Sequence, residues 1–77
     1  GEGRANMNKT YNISVDCINC ANTMEDIANN TPGVIDAAVS FMTQKMTVDA
    51  DDERFDEIMD EVVRVCAKVE PDCQILL

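Results

Sequence analysis

From Lys9 to Asp16 apolar and polar positions alternate. Tyr11, Ile13 and Val15 fall on one face, and Thr10, Asn12 and Ser14 on the other. That is the period of a half-buried strand. From Cys20 the period lengthens: Ala21, Met24, Ile27 and Ala28 recur at helical spacing, with Glu25 and Asp26 on the wet side. Asn19 is the expected N-cap. Asn29-Asn30-Thr31-Pro32-Gly33 ends the helix, since Pro cannot continue it and Gly admits positive φ. Ile35, Ala37, Val39 and Phe41 then alternate in a second strand over Val34 to Phe41. After a short turn at Thr43-Gln44, Lys45 to Asp49 forms a third, with Met46 and Val48 on one face, and the short gap makes the two a hairpin. Asp51-Asp52-Glu53 opens a second helix, where acids suit the positive end of the dipole. Its stripe is Phe55, Ile58, Met59, Val62, Val65 or Cys66, and Val69, with Lys68 near the negative pole. Pro71 blocks continuation, and Cys73, Ile75 and Leu77 alternate as a short last strand.

The resulting order, β-α-β-β-α-β, is the ferredoxin-like split βαβ arrangement. The expected fold class is α+β: a four-stranded antiparallel sheet with two helices on one face, two layers around one core. The expected core is Tyr11, Ile13, Val15, Met24, Ile27, Ala37, Val39, Phe41, Met46, Val48, Phe55, Ile58, Val62, Cys66 and Ile75.

Size and charge narrow the function. With 77 residues the chain is one domain, too small to enclose a large cofactor. Six basic against 15 acidic residues leave a net charge of −9, which argues against nucleic acid or anionic lipid as partner. There is no histidine, so His-based catalysis and every His-containing metal site are excluded. No apolar run approaches the roughly 20 residues of a membrane span. The start, Gly-Glu-Gly-Arg-Ala-Asn, lacks a signal peptide's apolar stretch. We expect residues 1–6 to be a cloning remnant before a natural start at Met7, with the domain over 8–77, no direct membrane contact, a monomeric state and a cytoplasmic location. In a reducing cytosol, two structural disulfides are the weaker reading of four cysteines.

Asp16-Cys17-Ile18-Asn19-Cys20 carries the chemistry. Two thiols two residues apart, one in a loop and one at a helix start, can converge on one ion. The helix N-terminus is expected to lower the thiol pKa, most of all for Cys20. Thiolates suit Cu(I), Zn(II) and similar soft or borderline cations. Two thiolates do not fill a tetrahedral zinc site, so the site is open, or borrows Asp16 or an external ligand. A thiol–disulfide oxidoreductase is the competing reading of CxxC. It is weakened because no Pro separates the pair and the element order lacks the βαβ start of such folds. Incidental cysteines are the third reading.

With these features in place, residues 8–77 resemble a heavy-metal-associated domain. The matching features are the strand ending at Val15, Cys17-x-x-Cys20, the helix with Met24 and Ile27, Pro32-Gly33-Val34, Ala37-x-Val39-x-Phe41, and the acidic opening of the second helix. The resemblance implies the ferredoxin-like fold and a metal carried by Cys17 and Cys20. It also implies a binding module, not an enzyme by itself, that captures and delivers an ion in the cytosol. Two departures bear on the metal. Val15-Asp16 stands where Met-Thr is usual, which is similar to domains of zinc, cadmium and lead pumps, where that carboxylate can join the thiolates. Cys66-Ala-Lys68-Val-Glu70-Pro71-Asp72 stands where copper-type members often carry Gly-Tyr or Gly-Phe and a Lys, with Lys68 a weak counterpart. The expected cargo is therefore one Zn(II), Cd(II) or Pb(II) ion, with Cu(I) as the alternative. The expected context is the N-terminal domain of a metal-transporting P-type ATPase, or a free-standing copper chaperone. The partner would be such an ATPase or another metal-transfer protein with a basic docking patch.

Cys66 lies on the second helix's apolar stripe and Cys73 in strand alternation with Ile75, so both are expected to pack in the core as small hydrophobes. The lesser alternative makes them ligands, since the second helix is expected to end at the edge that holds the CxxC. Met24, Met46 and Met59 are expected in the core, and Met42 outside it. Asp49 to Glu53 lacks the alternation and glycine of a calcium loop.

Overall fold

The computed structural model describes residues 6–76. The remnant proposed for residues 1–6 therefore lies outside the described residues except for Asn6, and so does Leu77. The elements run β1 (Asn6–Ser14), α1 (Ile18–Asn30), β2 (Val34–Ser40), β3 (Lys45–Asp51), a short 3₁₀ turn (Asp52–Arg54), α2 (Phe55–Val69) and β4 (Gln74–Leu76). The sheet is ordered β2-β3-β1-β4 and every pairing is antiparallel. This is the expected ferredoxin-like α+β fold.

The core is a single cluster drawn from the inner face of the sheet and the apolar stripes of both helices. Phe55, Met24, Met46, Val48 and Val62 are its largest fully buried side chains. Each deleted methylene group there would cost about 0.8 kcal/mol or more, because the surroundings cannot collapse fully into the gap. Ala21, Ala28 and Ala50 are also buried. Tyr11, Ile27, Val39, Phe41 and Ile75 are only partly buried and line the margin. Met42 is exposed, as expected.

Several local expectations change. β1 starts at Asn6, because its polar first half still pairs with β3 from Asn6↔Asp51 to Asn12↔Lys45. In β2 a register shift between Val34 and Asp36 turns Ile35 out to solvent. A bulge adds one residue to one strand, so the period-2 reading fails at that point. Val69 is also exposed; it is the last residue of α2, beyond the sheet's cover. Glu25 is not simply on the wet side. Its carboxylate accepts from the Val39 N–H at 3.0 Å. One turn later the Asn29 side chain accepts from the Ala37 N–H at 2.9 Å and donates to the Ala37 carbonyl at 3.0 Å. β2 is an edge strand, and these two side chains of α1 occupy backbone groups it would otherwise offer to another chain.

The turn from α1 into β2 has one steric requirement. Gly33 has φ of +97° and a Cβ there would lie 2.6 Å from Cδ1 of Ile58. Both the backbone and the neighbour therefore exclude a side chain. Gly33→Ala is expected to destabilise the domain by about 1–3 kcal/mol, read as a lowered urea midpoint with unchanged slope. An unchanged midpoint would contradict this packing of α2 against the turn.

Candidate metal centre

The β1–α1 connection is held from several sides. The Ile13 N–H donates to the Gln44 carbonyl at 2.9 Å, and the Val15 N–H donates to the Gln44 side-chain oxygen at 2.8 Å. Gln44 has φ of 56°, and its amide nitrogen donates to the Phe41 carbonyl at 2.8 Å. A residue of the β2–β3 turn thus replaces the missing ladder partner just before the CxxC. Beyond it, Cys17 and not Asn19 is the N-cap of α1. Its backbone is extended, and its sulfur accepts the Cys20 N–H at 3.1 Å. Cys can take this role because a sulfur at the cap position sits where an Asp or Ser oxygen would. The helix begins at Ile18, so Cys20 lies within its first turn. The two sulfurs are 2.7 Å apart, and both residues are half-buried.

The second wall comes from the end of α2. The Glu70 N–H donates to the Cys66 carbonyl at 2.7 Å, and the Cys73 N–H donates to the Glu70 carbonyl at 3.0 Å. The second bond closes a β-turn over Glu70-Pro71-Asp72-Cys73, with Pro at the position that favours its fixed φ. β4 then pairs with β1 through Ile13↔Ile75 and Ser14↔Gln74. That register carries the start of β4 alongside the end of β1. The thiols of Cys20 and Cys73 and a carboxylate oxygen of Glu70 all lie within 4.8 Å of one another. Among the described residues this is the only group of three or more thiols and carboxylates so arranged.

The expected site residues therefore separate. Cys17 and Cys20 are in contact. Asp16 is exposed at the rim, outside the group of three. Cys66 and Cys73 are both buried, as expected of core cysteines, yet Cys73 also reaches Cys20 and Cys66 is not in the group. Glu70 was not anticipated. Its signal was present in the spacing: Glu-Pro-Asp-Cys is a turn sequence that brings its first and fourth residues together.

The electrostatics correct one expectation. The Cys20 thiol is pushed up to about 12, not lowered, first by its hydrogen bond with Cys17, then by loss of solvent and by Glu70. The helix N-terminus is outweighed by neighbours that compete for or repel a second negative charge. Cys73 is also raised, chiefly by burial, against the opposing effects of Cys20 and the Asp16 backbone. Burial, with Cys73 and Glu70 nearby, pushes Cys66 up to about 11.

A family description, heavy-metal-associated domain, matches residues 10–70. The chain belongs to that family. It is a heavy-metal-binding and transfer module, and its fold recurs in solved structures. The N-terminal domain of a potential copper-translocating P-type ATPase from Bacillus subtilis, in the Cu(I)-loaded state, has a TM-score of 0.76 and 21% identity, covering 95% of this chain and 88% of that one. CopZ metallochaperone has a TM-score of 0.66 and 19% identity, covering 91% and 100%. A copper binding domain from HMA7, a P-type ATPase, has a TM-score of 0.60 and 21% identity, covering 96% and 95%. At such identities the likeness is one of fold. Comparison with curated proteins finds no sequence match. No helix among the described residues is long and apolar enough to cross a membrane.

Cys66 gives a pH test away from the CxxC. Its thiol is raised from 9.0 to about 11 in the folded domain. A raised thiol pKa means the fold prefers the protonated form. The stability it contributes is present below the unfolded value and is lost as pH rises through the folded one. The difference in urea midpoint between the reduced wild type and Cys66→Ala is therefore expected to shrink as pH climbs from 9 towards 11. A difference independent of pH would place Cys66 in a solvated setting.

Proposed function

We propose that Cys17 and Cys20 are the capture ligands and that the domain receives one metal ion there and hands it to a partner protein. The observation that carries this reading is the pairing of the two sulfurs at the half-buried start of α1. The first thiolate binds, the second closes the chelate, and a partner's donor displaces them one at a time. Asp16, exposed beside Cys17, serves as a third donor to the arriving ion at the open face, before the ion settles. A partner with a basic docking patch is supported by the −9 charge. An ATP-driven metal transporter carrying this domain at its N-terminus, or exchanging metal with it, fits that description. The module binds and passes on its cargo without catalysis of its own.

Carboxylates beside the thiolates favour a divalent Zn(II), Cd(II) or Pb(II) ion over Cu(I), because a hard oxygen donor adds little for Cu(I) and completes a zinc shell. The second reading, a Cu(I) chaperone-type module, is favoured by the copper-related names of the three solved structures compared above.

Competitive titration of the reduced domain with Zn(II), Cd(II) and Cu(I), followed by thiolate charge-transfer absorption, tests both. One-to-one binding is expected. Cys17→Ser and Cys20→Ser should each weaken it by on the order of 100-fold or more, since about 10–16 kcal/mol of structural zinc binding is shared among four ligands. Full affinity in either variant would remove the CxxC from the account. Asp16→Ala should slow Zn(II) uptake in stopped flow and leave Cu(I) uptake unchanged. If it takes up both at the wild-type rate, Asp16 is not a donor and the second reading gains.

A further inference from the structure

The α2–β4 turn presents a buried thiol and a half-buried carboxylate to the CxxC, and neither is explained by the two-ligand capture site. Cys73 is 5% exposed, and a cysteine filling the core would not need to reach outward. Its sulfur nevertheless shares one small volume with the Cys20 sulfur and a Glu70 oxygen, all within 4.8 Å. Glu70 has no basic partner: among the described residues the ion pairs are Arg54–Glu57 and Arg64–Glu61, both solvent-exposed. A carboxylate and two thiols are thus turned towards one another, and the carboxylate helps to hold the Cys20 thiol protonated. Ionised together they repel, and only a positive ion between them reverses the sign.

We propose that Glu70 and Cys73 are the inner ligands of the metal site, which with Cys17 and Cys20 give a three-sulfur, one-oxygen donor set specific for a divalent ion. This rests on the reading of Cys17 and Cys20 as capture ligands. Cys17 touches Cys20 but stands outside the group of three, and once it closes on the ion the four donors satisfy the tetrahedral preference of Zn(II), whose protein ligands include both Cys sulfur and Glu oxygen. Cu(I) is satisfied by soft sulfur alone and gains little from the carboxylate. Charge points the same way, since a doubly charged ion offsets more of the four negative donors than a singly charged one. The donors also differ in order of use. Asp16 is exposed and Cys17 lies outside the group of three, so these meet an arriving ion; buried Cys73, with Glu70 beside it, engages once the ion reaches Cys20. Retention in a divalent site and release to a partner then depend on the inner pair, while capture depends on the outer.

The experiment compares wild type, Cys73→Ala, Glu70→Gln, Cys66→Ala and Cys17→Ser, each reduced and metal-free, in competitive titrations with Zn(II), Cd(II) and Cu(I). Cd(II) titrations also read the sulfur-to-metal charge-transfer intensity at saturation. Cys73→Ala is expected to lose about one third of that intensity and to bind Zn(II) at least tenfold more weakly. Glu70→Gln should keep the full intensity and bind Zn(II) about tenfold more weakly. Cu(I) affinity should be unchanged in both, and Cys66→Ala should match wild type for every metal. Glu70→Gln changes a surface turn without opening the core, so it bears on the site even if Cys73→Ala is poorly folded. Wild-type Zn(II) affinity in Glu70→Gln, or undiminished Cd(II) intensity in a folded Cys73→Ala, would overturn the inner pair while leaving the capture ligands standing. Wild-type binding by Cys17→Ser would instead overturn the capture reading itself.

Discussion

The register of β4 against β1 is the constraint on which the site depends. β4 is short, Gln74–Leu76, and its pairing partners Asn12, Ile13 and Ser14 are the last residues of β1. A slip of one residue would put Ile75 on the solvent face and pull Cys73 out of the core, so burial on one face specifies the pairing strongly. Because the strands are antiparallel, the residue that precedes β4 must come alongside the residue that follows β1. The turn Glu70–Cys73 and the loop Asp16–Cys20 are therefore neighbours for reasons of packing, whatever they bind. The chemistry of the domain is built where two chain reversals are forced together.

Rigidity on either side of that meeting point has separate sources. On one side Gln44 continues the β1–β3 ladder with its own side chain, and Cys17 caps α1 with its sulfur. On the other, the Glu70–Cys73 hydrogen bond and Pro71 restrict the turn. The core beneath is anchored by Met24 of α1, Met46 and Val48 of β3, and Phe55 and Val62 of α2. Fixed donors lower the entropy lost when an ion binds, but they also hold like charges close. The Cys20 thiol is raised there, first by its hydrogen bond with Cys17 and then by loss of solvent and by Glu70. On the proposed ligand assignment its proton leaves when a metal arrives, so binding and proton release would be coupled and affinity would rise with pH.

The fold was legible in the sequence because its signals are long and repeated. The period-2 pattern of β1 and β3 and the 3.6-residue stripe of α2 lead to a core whose largest members, Met24, Met46, Val48, Phe55 and Val62, were all anticipated. Single-residue devices were not. The bulge at Ile35 breaks the alternation that a pattern relies on, and at the start of α1 Asn19, the stronger capping type, masks Cys17 as the cap. For the site, the CxxC was plain and the position of α2's end followed from topology. The role of Cys73 was obscured because burial and ligation look alike in alternation: Cys73 packs with the core and reaches Cys20 from the same position. Glu70 was hidden among 15 acidic residues, and only the turn that joins it to Cys73 distinguishes it.

These strands of argument meet in the composition of the metal's immediate shell. X-ray absorption at the zinc edge of the one-to-one Zn(II) domain counts that shell directly. The account predicts three sulfur neighbours at about 2.3 Å and one oxygen at about 2.0–2.2 Å. A shell of two sulfurs completed by light atoms, or of four sulfurs, would contradict it: the first would leave Cys73 as core alone, and the second would bring in Cys66 in place of Glu70.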